Sequence, residues 1–262
     1  TEGPSSHLIK SNTPTMGGLF IIPIFFFIIS TASIISFEFK LALIITLIGF
    51  FFIGIIDDYL SIKNQINLGL KSKEKLMLQI FFSAFFVIFL FNNNLINNNL
   101  GLFNELTIDL NNFIIPISII TIVSLSNSVN LTDGLDGLAA GCSAIVFCGL
   151  GTEILLSSDK NYLIFSLLSF CMSGLCLGFL KHNKYPAKIF MGDTGSLTIG
   201  AIIGVICVVT NSFLTTFIIS GIFVIEALSV ILQVSYFKIT KKFFQQGKRL
   251  FLMTPIHHHF EL

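Results

Sequence analysis

The residues best suited to chemistry lie in short polar stretches between long apolar runs. Asn127–Gly137 reads Asn-Ser-Val-Asn-Leu-Thr-Asp-Gly-Leu-Asp-Gly and separates the apolar runs Phe113–Leu125 and Leu138–Leu156. Amides, hydroxyls and two carboxylates, Asp133 and Asp136, thus stand between membrane-length segments. The glycine after each aspartate permits tight turning or close approach to a ligand. A packed loop has little use for two carboxylates at that spacing. A site that holds a cation or a hydroxyl-rich ligand does.

Other polar stretches carry related chemistry. Asp57-Asp58 closes an apolar run. Adjacent carboxylates repel, and a helix C-terminus is the wrong end for anions. The pair therefore asks for a divalent cation or for the lysines Lys71, Lys73 and Lys75; those lysines also fit plain membrane-flanking charge. Asp193 lies in Phe-Met-Gly-Asp-Thr-Gly-Ser, residues 190–196. Backbone N–H groups at the following helix start are expected to receive phosphate, with an ordinary capping loop as the alternative. Phe190 is either a membrane-surface anchor or a platform for stacking a base. His257, His258 and His259 follow Pro255 and suit a metal, an anion clamp or a solvated loop. Consecutive residues face different ways, so at most two act together. Glu226, inside an apolar run, is expensive unless paired and reads as a buried hydrogen-bonding group. Oxygen ligands without clustered thiols point to Mg²⁺ rather than zinc. Together these stretches suit Mg²⁺ and a phosphorylated ligand within reach of lipid, the setting of phosphoryl transfer.

The elements that must position these residues are membrane spans. The 262 residues are 53% hydrophobic and only 11% charged, about half the charge of a soluble domain. The fold class is an all-α polytopic membrane protein. About eight transmembrane helices are expected, near 19–35, 41–56, 76–91, 113–126, 138–156, 162–180, 197–210 and 213–236, as one integral-membrane domain. An even number of spans puts segments 1–18, 57–75, 127–137, 181–196 and 237–262 on one side. That side holds thirteen of the fifteen basic residues; only Lys40 and Lys160 fall opposite. The positive-inside rule makes it cytoplasmic. Five of the seven aspartates share it. The net charge of +1 offers no case for a nucleic-acid partner. The five cysteines all lie in apolar runs and read as small buried side chains. No cleavable signal and no internal repeat are visible, which weakens a transporter reading.

Thr13–Gly18 (TPTMGG), Asp57–Tyr59 (DDY), Asn127–Gly137, Phe190–Ser196 (FMGDTGS) and Pro255–Glu261 (PIHHHFE) together resemble the phospho-N-acetylmuramoyl-pentapeptide-transferase family. That family lies within the polyprenyl-phosphate N-acetylhexosamine-1-phosphate transferase superfamily. The resemblance spans the whole chain in matching order. It implies transfer of phospho-MurNAc-pentapeptide from UDP-MurNAc-pentapeptide to undecaprenyl phosphate, giving lipid I and UMP. It also implies Mg²⁺, a homodimer, and a site on the cytoplasmic face of the bacterial inner membrane, in contact with membrane lipid. Against the family's ten spans, the first and last are expected to be missing here. By motif, Asp193 resembles the Mg²⁺ ligand, and Asp57 and Asp58 the pair serving the lipid phosphate. Asn127, Asn130, Asp133 and Asp136 resemble the nucleotide-side wall, with Gly134 and Leu135 near the uracil. Phe190 resembles the residue stacked on uracil, and Asn183 a polar contact nearby. Lys75 resembles the loop lysine facing phosphates, and Lys10 a residue near the nucleotide. His257 and His258 resemble the phosphate- or sugar-contacting histidines. Direct attack and a two-step route through an aspartyl-phosphate at Asp58 or Asp193 both stay open. So do a sibling transferase using UDP-GlcNAc and a transporter that moves substrate intact.

Overall fold

The computed structural model describes residues 13–64, 69–96, 98–103, 106–157 and 160–261. Lys10 lies outside them. In chain order the α-helices are α1 (Gly18–Thr31), α2 (Phe37–Asn64), α3 (Ser72–Asn92), α4 (Ile114–Thr132), α5 (Leu138–Leu156), α6 (Leu163–Asn183), α7 (Gly192–Thr210), α8 (Phe213–Ile219), α9 (Gly221–Phe244) and α10 (Ile256–Glu261). Strands β1 (Asn99–Phe103) and β2 (Leu106–Asp109) pair antiparallel between α3 and α4. Among the described residues, seven helices are long and apolar enough to cross a membrane: α2 to α7, and α9. The all-α polytopic class expected from the sequence is what the chain adopts.

Several boundaries differ from expectation. The first apolar run makes a helix of 14 residues, about 21 Å long against a hydrocarbon core of about 30 Å. The eighth run is broken at Ser220, whose hydroxyl bonds back to the Thr216 carbonyl and ends α8 before α9 begins. The Asn-rich connector contains the hairpin. Asp57 and Asp58 do not end their helix, because α2 continues to Asn64. Likewise α4 continues to Thr132, so Asn127 and Asn130 are helical.

Helix α7 is the centre of the bundle. Every residue from Thr194 to Val209 is buried, as expected of a helix that is apolar or small all round. It lies against α4 so closely that a Cβ at Gly200 would meet the Leu125 carbonyl oxygen, and one at Gly204 would sit 2.6 Å from Ile122 Cα. Ser126 Oγ donates across the same seam to the Leu197 carbonyl at 2.8 Å. Small residues and hydroxyls of this kind hold membrane helices together where the solvent supplies no hydrophobic drive. The α5–α6 pair is stitched likewise by Ser166 to Gly151 O (2.6 Å) and Ser173 to Ala144 O (2.7 Å). Gly200→Ala is expected to lower stability by about 1–3 kcal/mol through overpacking. Gly174→Ala, at an open site on α6, should be neutral or gain up to about 1 kcal/mol in helix propensity. Thermal unfolding in detergent distinguishes the two.

Candidate active site

The site forms around the first turn of α7. Gly192, at φ +72°, donates its N–H to Asp133 Oδ2 at 3.1 Å. The Asp193 N–H donates to Asp58 Oδ1 at 3.0 Å, and the Thr194 N–H to Asp58 Oδ2 at 3.0 Å. The Thr194 hydroxyl adds a 2.6 Å bond to Asp58 Oδ2. A helix start leaves such N–H groups without intrahelical partners and carries partial positive charge. Carboxylates from α2 and from the end of α4 satisfy both needs. This overturns the expectation that these N–H groups receive phosphate, since the chain's own carboxylates already occupy them. It also explains why Asp57 and Asp58 do not end α2: Asp58 serves another helix, and Asp57 is balanced by a lysine.

With its backbone held, Asp193 presents its side chain to two partners. Asn130 Nδ2 donates to Asp193 Oδ1 at 2.7 Å and to Ser196 Oγ at 2.9 Å. Lys75 Nζ donates to Asp193 Oδ2 at 2.5 Å and lies 2.9 Å from Asp57 Oδ1. Asp57 Oδ1 also accepts the Leu70 N–H at 2.9 Å. Of the three lysines, only Lys75 turns inward; Lys71 pairs loosely with Glu74 at 3.7 Å in solvent, and Lys73 is exposed. Two aspartates, Asp57 and Asp193, thus share one ammonium group, while Asp58 and Asp133 hold the adjoining turn of α7. Burial, then the neighbouring Asp193 carboxylate, push the Asp133 carboxyl well above the usual range, while the Gly192 N–H pulls the other way.

The other predicted residues divide into lining and scaffold. Asn127 is paired amide to amide with the fully buried Gln79 of α3 (2.7 Å and 3.4 Å) and also donates to Val123 O. Asn183 accepts the Gly137 N–H at 3.0 Å and donates to Ile189 O at 2.9 Å. The Asn127 amide is spent on joining α4 to α3, and the Asn183 amide on holding the segments around Gly137 and Ile189. Asp136 Oδ2 accepts the Ala187 N–H at 3.0 Å, tying the α4–α5 turn to the loop before α7. Phe190 is clipped through its backbone to Pro14 and Gly17 and leaves its ring partly exposed; Leu135 is partly exposed beside Gly134.

The histidines reach the cluster by a return path along α9. The Thr240 hydroxyl oxygen accepts the Lys248 N–H (2.9 Å), and Gln233 Oε1 accepts those of Leu250 and Phe251 (2.9 Å each). Glu226 Oε2 accepts the His257 N–H at 3.4 Å. Positions 226, 233 and 240 recur every seven residues and share one helix face. His257 and His258 are buried, and a Cβ at Gly134 would run into His257 Nε2 and lie 3.1 Å from His258 Nε2. His258 Nδ1 is 3.0 Å from Glu261 Oε2, whereas His259 Nδ1 only accepts the Leu252 N–H. Burial holds His257 below the ordinary imidazole range, against the opposing pull of Glu226. The paired reading of Glu226 therefore holds. Gln79, Thr194, Ser196 and Gln233 were not singled out as site or scaffold residues from sequence; the spacing of 226, 233 and 240 was the available signal for the last.

Among the described residues no three His, Cys, Asp or Glu side chains form a ready-made metal set. The donor chemistry still suits Mg²⁺, which takes one or two carboxylates and completes its shell with water and substrate phosphates. The Lys75 ammonium between Asp57 and Asp193 marks a place where positive charge is favoured.

A bundle of apolar helices with an acidic, histidine-edged cluster is the architecture of a polytopic membrane protein with a polar site set among its spans. The sequence matches Glycosyl transferase family 4 over residues 40–211 and phospho-N-acetylmuramoyl-pentapeptide-transferase signature 1 over residues 10–22. It is 60% identical to the phospho-N-acetylmuramoyl-pentapeptide-transferase of Prochlorococcus marinus subsp. pastoris, covering 100% of this chain and 73% of that protein. To the protein of the same name from a Synechococcus species it is 42% identical, covering 100% of this chain and 71% of the relative. The chain belongs to the phospho-N-acetylmuramoyl-pentapeptide-transferase family.

Asp58→Asn replaces one acceptor oxygen with an amide that opposes an N–H of α7. A lost charge-assisted bond of this kind should cost about 1.5–3 kcal/mol. Lys73→Gln, in solvent, should stay within about 0.5 kcal/mol of wild type. Thermal unfolding of the two variants checks the difference.

Proposed function

We propose that this chain transfers phospho-MurNAc-pentapeptide from UDP-MurNAc-pentapeptide to undecaprenyl phosphate, releasing UMP and forming lipid I for peptidoglycan. The observation that carries this reading is the pairing of Asp57 and Asp193 with Lys75 beside an α7 start held by Asp58 and Asp133, in a chain whose relatives bear that enzyme name. A polyprenyl phosphate is largely a dianion at neutral pH, its second pKa being about 6, so its oxygen needs little help from a base. It attacks the β-phosphorus; the bond to the UMP oxygen breaks, and UMP leaves. Both oxygens of Asp58 are engaged in capping α7, which disfavours it as a covalent nucleophile and supports direct attack.

In this reading Asp193, with Asp57 beside it, would hold Mg²⁺, which would supply charge neutralisation on the diphosphate. Lys75 is released from its carboxylates to a phosphate oxygen. Asn130 keeps Asp193 oriented. Asp133, Gly134, Leu135, Asp136 and Phe190 border the nucleotide, while Asn127 and Asn183 support that wall. His257 and His258 contact phosphate or sugar, and Lys10 the nucleotide side. The span order expected from the sequence, which gathers thirteen of the fifteen basic residues on one side, supports a cytoplasmic face, and family membership supports the bacterial inner membrane and a homodimer.

Purified protein given UDP-MurNAc-pentapeptide and undecaprenyl phosphate with Mg²⁺ should release UMP. Chelation should abolish release, and Asp193→Asn should cut it at least about 100-fold. UMP release from UDP-GlcNAc instead would move the chain to a sibling activity, and transport of intact substrate would reject transfer.

A further inference from the structure

The seven-residue ladder on α9 ends at an ionisable group where a neutral one would suffice to hold a loop. Gln233 and Thr240 fix the returning tail with uncharged oxygens. Glu226, 2% exposed, ends the row with a carboxylate placed behind a histidine ring: Oε2 lies 3.1 Å from His257 Nδ1 as well as 3.4 Å from its backbone N–H. The ring contact is electrostatic, since neither ring nitrogen has a well-directed hydrogen-bond partner among the described residues. The front of the ring is equally constrained. Nε2 is buried and abuts Gly134, where a side chain would collide with it. The ring is thus gripped between a carboxylate from α9 and a bare backbone in the turn that carries Asp133.

A carboxylate behind one imidazole nitrogen favours the proton there and fixes the tautomer and orientation of the ring. We infer that Glu226 is a positioning residue: it holds the His257 ring with Nε2 packed against Gly134, and through that contact fixes the acidic turn that borders the substrate. The inference rests on the transferase reading above. Gly134 belongs to the same device, because it leaves room for the ring.

Glu226→Gln keeps the shape and removes the charge. It should lower kcat/KM for UDP-MurNAc-pentapeptide about tenfold, with Glu226→Asp recovering part of the loss. On a His257→Ala background, Glu226→Gln should have no further effect, since coupled residues are non-additive. Multiplying losses would show that Glu226 acts only as a tail anchor and overturn the inference; so would full activity in Glu226→Gln or in His257→Ala. ¹⁵N-histidine NMR gives a readout independent of turnover. The His257 ring nitrogens should shift in Glu226→Gln, and unchanged signals would contradict the inference. Failure of the wild type to release UMP would instead sink the transferase reading, while the NMR comparison would still decide the role of Glu226.

Discussion

The interaction on which the rest depends is the seating of α7 on two foreign carboxylates. Three N–H groups at its first turn, those of Gly192, Asp193 and Thr194, find partners in Asp133 and Asp58. These come from the end of α4 and from α2, the helices α7 packs against most closely. Without them, a helix buried almost throughout its length would begin with unpaired donors beside the membrane core, where each such group costs several kcal/mol. The same bonds fix the backbone of Asp193. A stability requirement and a site requirement are therefore met by one set of contacts.

A second constraint brings in the distal end of the chain. α9 is only lightly covered by protein and shows lipid a face of Ile225, Leu228, Ile231 and Leu232. Its other face carries Glu226, Gln233 and Thr240, about 21 Å from first to last. The tail lies back along that stripe and delivers His257 and His258 to Gly134. Intramembrane polar residues are costly unless paired, and here their partners are the backbone of the returning segment.

Much of this was legible in the residues. Long apolar runs and lysine asymmetry suffice for the fold class, because both follow directly from the bilayer. Asp57, Asp133, Asp193 and the histidines stood out because charge is scarce in such a chain. What the chain order hid was who partners whom. Asp57-Asp58 looked like a helix stop because like charges repel; its compensation by Lys75 and by the start of α7 comes from residues far along the chain. Asn127 and Asn183 looked like ligand contacts, yet Gln79 and Ile189 occupy them. The break at Ser220 has no Pro to announce it, only the Ser220-Gly221 pair and a hydroxyl turned back on its own helix.

The seating of α7 can be measured directly. First-turn amides of a helix ordinarily exchange quickly, because nothing in the helix bonds them. Residue-resolved hydrogen exchange on the folded protein should find the amides of Gly192, Asp193 and Thr194 protected by orders of magnitude over an open chain. Exchange of these three at open-chain rates, while the rest of α7 stays protected, would contradict the account.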